Sequence, residues 1–443
     1  MSFHWHPAEQ LKIGVYLFKW TLFAGIVGIL SGSASAIFLG SLDYATKVRV
    51  DHPWLLYLLP FAGLAIGLFY RYPGRGLDGG NNLILDEIHD PQSKIPARLA
   101  PVILVATVIT HLFGGSAGRE GTAVQMGGSL ASWVARVLRL EKLDLRILVM
   151  AGVSGGFGSV FGTPVAGMIF GLEVLAVGRM RYDALIPCLI GSAVGHWTCL
   201  FWFAFWGGAH GQYAIHSHIE ITALLIGKIL IAAPLFGLAS ILFSEMTHAL
   251  QTVFARLSPW PPARPLLGGI VVVLLTFLVG TNDYLGLSLP LLHRPFDGDS
   301  VRNFDFAWKI LFTAITLGAG FKGGEVTPLF VIGATLGATL GYWLGVPIDF
   351  LAALGFVAVF AAAANTPLAC TAMGIELFGA THALSIAIAC VGAYLWAGHR
   401  GIYLSQRLDT AKGDILVVSG DPTIDSVRKG VVTGGQPSES SSS

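Results

Sequence analysis

The sequence is expected to fold as an all-α integral membrane protein built from two homologous halves with discontinuous helices. Three observations carry that expectation: an apolar composition punctuated by glycine, two motifs that recur half a chain apart, and carboxylates placed inside those motifs. Of 443 residues, 54% are hydrophobic and only 12% charged, with a mean hydropathy of +0.68. Lipid offers no hydrogen-bond partner to the backbone, so a chain this apolar must satisfy its N–H and C=O groups within helices.

Apolar stretches of spanning character recur at 11–42, 54–70, 184–206, 221–243, 265–279 and 383–398,. Two more, 101–115 and 323–345, are interrupted by glycine. With 56 Gly and 21 Pro, helices should be short, kinked or broken, and irregular backbone at membrane depth is tolerated only where it is buried or lines a cavity. The segment 1–10 is short and polar, and 11–42 is too long for a cleaved leader, so that stretch should stay in the membrane. Cys188, Cys199, Cys370 and Cys390 all fall in apolar stretches without metal-ligand spacing and read as packing residues,. The net charge of +1 is spread over loops and tails and gives no reason to expect a nucleic-acid partner. After Tyr403 the chain turns hydrophilic, so 406–443 is expected to be a disordered tail. Arg400, Arg407, Lys412, Arg428 and Lys429 place that tail in the cytoplasm,.

The repeat shows when the chain is laid on itself. Gly118-Arg119-Glu120-Gly121-Thr122 and Gly323-Gly324-Glu325-Val326-Thr327 share Gly-x-Glu-x-Thr at an offset of 205 residues, and Gly128 maps to Gly333 at the same offset. Thr163-Pro164-Val165-Ala166 leads to Glu173 as Thr366-Pro367-Leu368-Ala369 leads to Glu376, at an offset of 203. The halves are 11–212 and 213–405. Their junction, 207–220, holds His210, His216 and His218 and is expected to be a solvated loop rather than a metal site, since a lone histidine cluster is a weak signal,.

Glycines around Glu120 and Glu325 let backbone approach a ligand, and each motif precedes an apolar helix whose free N–H groups and positive dipole end favour an anion. A carboxylate on such a loop competes with the anion when ionised and releases the site when protonated, which couples proton and anion binding in one side chain. Glu120 is the candidate gate. The plainer reading is a loop glutamate paired with Arg119.

These residues resemble the CLC family of chloride channels and proton-coupled antiporters. Gly118-Arg119-Glu120-Gly121 is similar to its gating motif. Gln125-Met126-Gly127-Gly128, the stretch from Thr163 to Gly167, the stretch from Gly324 to Pro328, and Tyr403 in His399-Arg400-Gly401-Ile402-Tyr403 resemble its other anion-site segments in order. The resemblance implies two inverted-topology halves, anion sites at broken-helix N-termini, and a homodimer with one pathway per subunit. It departs from chloride members at three places. Thr122 stands where they have proline, Gly79-Gly80-Asn81-Asn82 replaces their serine loop, and Val174 follows Glu173 where antiporters carry a second glutamate.

The departures resemble the bacterial fluoride-exporting branch. That implies fluoride/proton antiport in the inner membrane, with Glu120 swinging inward to meet Glu325 and Thr327, and with chloride as the competing anion. The duplication is read as placing Glu325 at the symmetry mate of Glu120. The anion contacts implied are Asn81, Asn82, Gly118, Gly121, Val326 and Tyr403, with no metal and no cofactor. Fluoride is small and costly to dehydrate, so several strong donors suit it, among them an asparagine amide and the hydroxyls of Tyr403 and Thr327. Asn81 or Asn82 could instead act as a helix cap or turn residue.

Other polar residues carry plainer expectations. Glu173 and Glu376 should anchor helix ends, His111 should be a hydrogen-bonded core histidine, and Lys322 and Arg119 should either draw anions in or mark a solvated mouth. The alternatives are a chloride transporter or channel of the same family, or a sodium-coupled transporter of a small organic substrate. An enzyme is not expected, because paired catalytic aspartates, a His-Glu-x-x-His helix and a Ser-His arrangement are lacking,.

Overall fold

The computed structural model describes residues 7–92, 95–217, 219–413 and 422–429. Within these, the first half runs α1 (Pro7–Asp51), α2 (Leu59–Arg71), α3 (Gly80–His89), α4 (Leu99–Leu112), α5 (Glu120–Val137), α6 (Lys142–Phe161), α7 (Pro164–Glu173) and α8 (Leu185–Trp206). The second half runs α9 (Ala223–Leu257), α10 (Ala263–Val279), α11 (Leu289–Asp297), α12 (Asp305–Gly318), α13 (Val326–Leu344), α14 (Ile348–Ala364), α15 (Pro367–Phe378) and α16 (Ala383–Trp396). Six helices among the described residues are long and apolar enough to cross a membrane. Several others are short or broken, as the glycine content predicts. The first helix begins at Pro7 rather than at residue 11, while 1–6 lie outside the described residues.

The same eight-helix order appears twice. Both ends of α4 recur in α12 206 residues later, and the starts of α5 and α6 recur at the same interval in α13 and α14. The interval falls to 203 for α7 and α15 because α14 has 17 residues where α6 has 20. The halves are inverted. Helix α8 starts next to Asp183, on the face that carries the chain after α16, where Arg179 pairs with Asp409, and ends at the junction. Helix α16 starts at His382, packed on Phe350 beside the Asp349 that binds the junction, and ends on the opposite face.

Small residues bring the helices of each half into backbone contact. A Cβ on Gly127 would stand 2.1 Å from the carbonyl of Gly152, and one on Gly333 would stand 2.0 Å from that of Gly355. The structural mate of Gly333 is therefore Gly127, one residue before the Gly128 that letter matching selects. Phe157 and Phe170 stack at 4.1 Å within the first half, as do Phe330 and Phe356 within the second, and Phe161 meets Phe330 across the halves at 5.2 Å.

Glu173 and Glu376 cap each other's helices. The Glu376 carboxylate accepts from Val165 N and Ala166 N at the start of α7, and Glu173 accepts from Leu368 N and Ala369 N at the start of α15, all at 2.8–3.0 Å. Each carboxylate meets the positive end of a short buried helix, so both charges are compensated by backbone N–H groups. All four cysteines are buried and free.

The tail departs from the expectation of disorder over its described part. Arg407–Leu408 (β2) pairs in parallel with Ala176–Val177 (β1), and α17 (Ile424–Arg428) is started by a capping box between Thr423 and Ser426. Leu408 and Ile424 bury against Val177, which gives this stretch an apolar anchor that its average polarity hides. Residues 414–421 and 430–443 lie outside the described residues.

Candidate functional site

Two helix N-termini meet at the centre of the molecule. The segments before α5 and α13 run antiparallel, with Gly118 N donating to Gly324 O at 2.6 Å and Gly324 N to Gly118 O at 2.8 Å. No side chain fits at the crossing: a Cβ on Gly324 would stand 2.8 Å from Gly121 N and 3.0 Å from Glu120 N, and one on Gly118 would stand 2.7 Å from Pro328. Orphan N–H groups of both helices thus converge where the chain itself is thinnest.

Glu120, the first residue of α5 and 1% exposed, reaches across to the start of α13. Its Oε2 accepts from Thr327 N at 2.9 Å and Arg119 N at 3.1 Å. Its Oε1 accepts from Thr327 Oγ1 at 2.5 Å and Arg119 Nε at 3.3 Å. Both readings of this residue are thus present at once, an ion pair with Arg119 and a carboxylate seated in the N-terminal anion position of α13.

Glu325 does not mirror Glu120. Helices α5 and α13 start at Glu120 and Val326, and Gly118 pairs with Gly324, so every local correspondence is 206 residues. The structural mate of Glu120 is the buried Val326, and Glu325 corresponds to Arg119. The expectation that the duplication makes the two glutamates symmetry mates is corrected by that one-residue step. Inversion places Glu325 on the side opposite its mate Arg119, where it lines a cavity of about 420 Å³ on the tail face together with Asn81, Asn82, Gln125, Lys322 and Tyr403.

In that cavity the two asparagines differ. Asn82 Oδ1 accepts from Ser405 N at 3.1 Å and so holds the segment that carries the buried Tyr403. Asn81 Oδ1 has no partner among the described residues, and its Nδ2 lies 2.9 Å from where a Cβ on Gly121 would stand. Glycine at 121 is what lets the Asn81 amide approach the start of α5. Gln125, a member of the quoted motif that was not singled out as a contact, has a buried Oε1 that is likewise unpartnered among the described residues. The Lys322 ammonium sits 4.1 Å over the Tyr70 ring and 3.5 Å from Asp78 at the mouth of the cavity.

On the opposite face every described junction residue is exposed or half-buried, as a solvated loop should be, and the loop is pinned to the helices beneath it. His210 Nε2 donates to Ser159 O at 2.7 Å, and Asp349 accepts from His216 N, Ser217 N and Ser217 Oγ. His218 lies outside the described residues. Among the described residues no three His, Cys, Asp or Glu side chains converge as a metal site would require. The junction lines a cavity of about 460 Å³ with Asp297 and Glu376. Beneath it, Tyr213, Phe330 and Phe356 enclose a space of about 10 Å³ beside Glu120, Arg119 and Thr327. Sequence reasoning missed Tyr213, whose neighbours come from distant helices.

Other groups brace the site from behind. Thr122, which stands in place of the usual proline, bonds Thr107 Oγ1 at 2.8 Å and so ties α5 to α4. His111 spans the carbonyls of Thr107 and Ala117, as a core histidine should. The buried Lys309 donates to Ser116 Oγ at 2.9 Å in the loop that leads to Glu120.

Comparison with known proteins agrees with this arrangement. The family described as voltage gated chloride channel matches residues 61–398. A chloride/fluoride channel protein of Pseudomonas syringae pv. tomato is 48% identical over 410 residues, which are 91% of this chain and 90% of that protein. The crystal structure of a CLC-type fluoride/proton antiporter has a TM-score of 0.85 at 32% identity and covers 89% of this chain and 98% of that one. A slow cyanobacterial chloride/proton antiporter shares the fold, with a TM-score of 0.74 at 19% identity over 87% of this chain and 96% of its own. The inverted eight-helix halves, the crossed N-termini and the matched span of residues together make this chain a member of the voltage gated chloride channel family, the CLC proteins.

Proposed function

We propose that the protein exports fluoride from the cytoplasm in exchange for inward protons. The observation that carries this reading is the Glu120 carboxylate seated on Thr327 N and Oγ1. An ionised carboxylate there fills an anion's place. Once protonated it binds those donors less well and can leave, so a halide that takes the position is exchanged for a proton. Glu325, on the tail-face cavity with Asn81 and Tyr403, is the second proton carrier and replaces the glutamate missing at Val174. Asn81 supplies the amide donor to fluoride, Tyr403 its hydroxyl, and Gly118, Gly121 and Val326 the backbone around it. Asn82 acts by holding the Tyr403 segment.

The tail face is assigned to the cytoplasm from its basic residues, which makes the Asn81 cavity the inner vestibule and the junction cavity the outer one. The protein is placed in the bacterial inner membrane as a homodimer with one pathway per subunit, on the strength of its family. Two relatives bear on the anion: one carries both fluoride and chloride in its name, and the other is titled a fluoride/proton antiporter. The former keeps chloride as a second reading. Proteoliposomes loaded with both anions decide between them: fluoride efflux with stoichiometric proton uptake supports exchange, whereas chloride release without proton movement supports a chloride channel.

A further inference from the structure

We infer that Tyr213, carried by the junction between the halves, is a specificity-determining residue that restricts the outer end of the pathway by size. The inference rests on the antiport reading above but concerns a residue outside both repeated motifs. Two pins hold the junction down, His210 on Ser159 and His216–Ser217 on Asp349, with five residues, 211–215, strung between them. From that span Tyr213 turns inward. Its ring stacks on His293 at 4.8 Å and 22°, and meets Phe356 at 5.2 Å and Phe296 at 5.6 Å.

Tyr213 belongs to the walls of two spaces. It lines the outer cavity of about 460 Å³ and also the space of about 10 Å³ beside the Glu120 carboxylate, and Phe161, Gly211 and Leu377 share both walls with it. The smaller volume suits a single water-sized particle. Fluoride is close to water in size and chloride is larger. An ion that leaves the Glu120 position for the outer cavity therefore passes a constriction made of Tyr213, Phe330 and Phe356, and of these Tyr213 alone comes from the junction. Movement of the 211–215 span would widen the path without disturbing the helix N-termini.

The test uses the full-length protein in proteoliposomes loaded with fluoride and chloride, with anion electrodes and external pH followed together. Tyr213→Ala should lower the fluoride-to-chloride transport ratio by about tenfold, the scale of discrimination that one apolar contact supplies. Tyr213→Phe should keep the wild-type ratio, because bulk and not the hydroxyl sets the limit. An unchanged ratio in Tyr213→Ala, or an equal loss in Tyr213→Phe, overturns the inference. If Tyr213→Ala does not reconstitute, Gln212→Cys carries the test. Gln212 is exposed and the four native cysteines are buried, so a bulky membrane-impermeant thiol reagent added outside reaches this position alone. A modification that lowers chloride transport more than fluoride transport supports a size limit set at this span, and an unaltered fluoride-to-chloride ratio removes it. Failure of the unmodified wild-type protein to exchange fluoride for protons would instead sink the functional reading beneath it.

Discussion

Glu120 and Thr327 belong to different halves, yet one carboxylate accepts both the backbone N–H and the hydroxyl of the threonine, at 2.9 and 2.5 Å. The half that supplies the acid thus depends on the other half for its resting place. Neither helix N-terminus forms this site alone.

Replacing Glu120 by Gln should abolish proton coupling, because the amide cannot titrate and its NH2 would face the N–H groups that now hold an oxygen. Fluoride-driven proton uptake in the variant, followed by external pH, would remove Glu120 from the mechanism.

Thr327→Val keeps the backbone donor and deletes only the hydroxyl. A hydrogen bond to a charged group is worth roughly 1.5–3 kcal/mol, so fluoride turnover should fall about tenfold or more while the fold is retained. Initial efflux rates at matched protein density measure the change, and a wild-type rate would show that the backbone N–H suffices.

Glu325→Gln should slow exchange from the tail-face side without changing which anion is carried. Single-sided pH jumps across the vesicle membrane separate this from a general loss of activity, since a purely structural role would leave the response to inner pH as in the wild type.

Asn81→Ser exchanges an amide with two donors for a hydroxyl with one, in a cavity where Gly121 was needed to admit the amide,. Weaker discrimination against chloride is the expected result. A fluoride-to-chloride ratio equal to wild type would assign Asn81 to helix structure.

Glu376→Gln removes the charge that compensates the start of α7. The loss of charge-assisted bonds to two backbone donors should cost about 1–3 kcal/mol, seen as a lower thermal midpoint in detergent, while the protons moved per fluoride stay unchanged.

The parts of this molecule that are legible in the sequence are those written locally. Glu120 and Tyr403 stand in motifs with neighbouring glycines, and the broken helices follow from glycine and proline content. The mate of Glu120 was not legible: matching letters pairs it with Glu325, whereas helix starts and backbone contacts pair it with Val326. Register is set by where seven-residue loops end, 113–119 and 319–325, and not by identity of residues. Tyr213 was hidden for another reason, since its partners His293, Phe296 and Phe356 lie 80 or more residues away and no local pattern announces them. Over its described part the tail was misread because composition does not show that Leu408 and Ile424, far apart in sequence, bury together against Val177.

The one-residue step between Glu120 and Glu325 also bears on polarity. A duplicated protein with perfect two-fold correspondence would present the same chemistry to both sides of the membrane and could not tell inside from outside. Inversion already sets the two acids on opposite faces, Glu120 beside the junction-side space and Glu325 on the tail-side cavity, and the one-residue step makes their mates unlike, Val326 for Glu120 and Arg119 for Glu325. By that step a symmetric scaffold acquires two unlike doors, and the cell acquires a carrier whose two faces can be tuned separately.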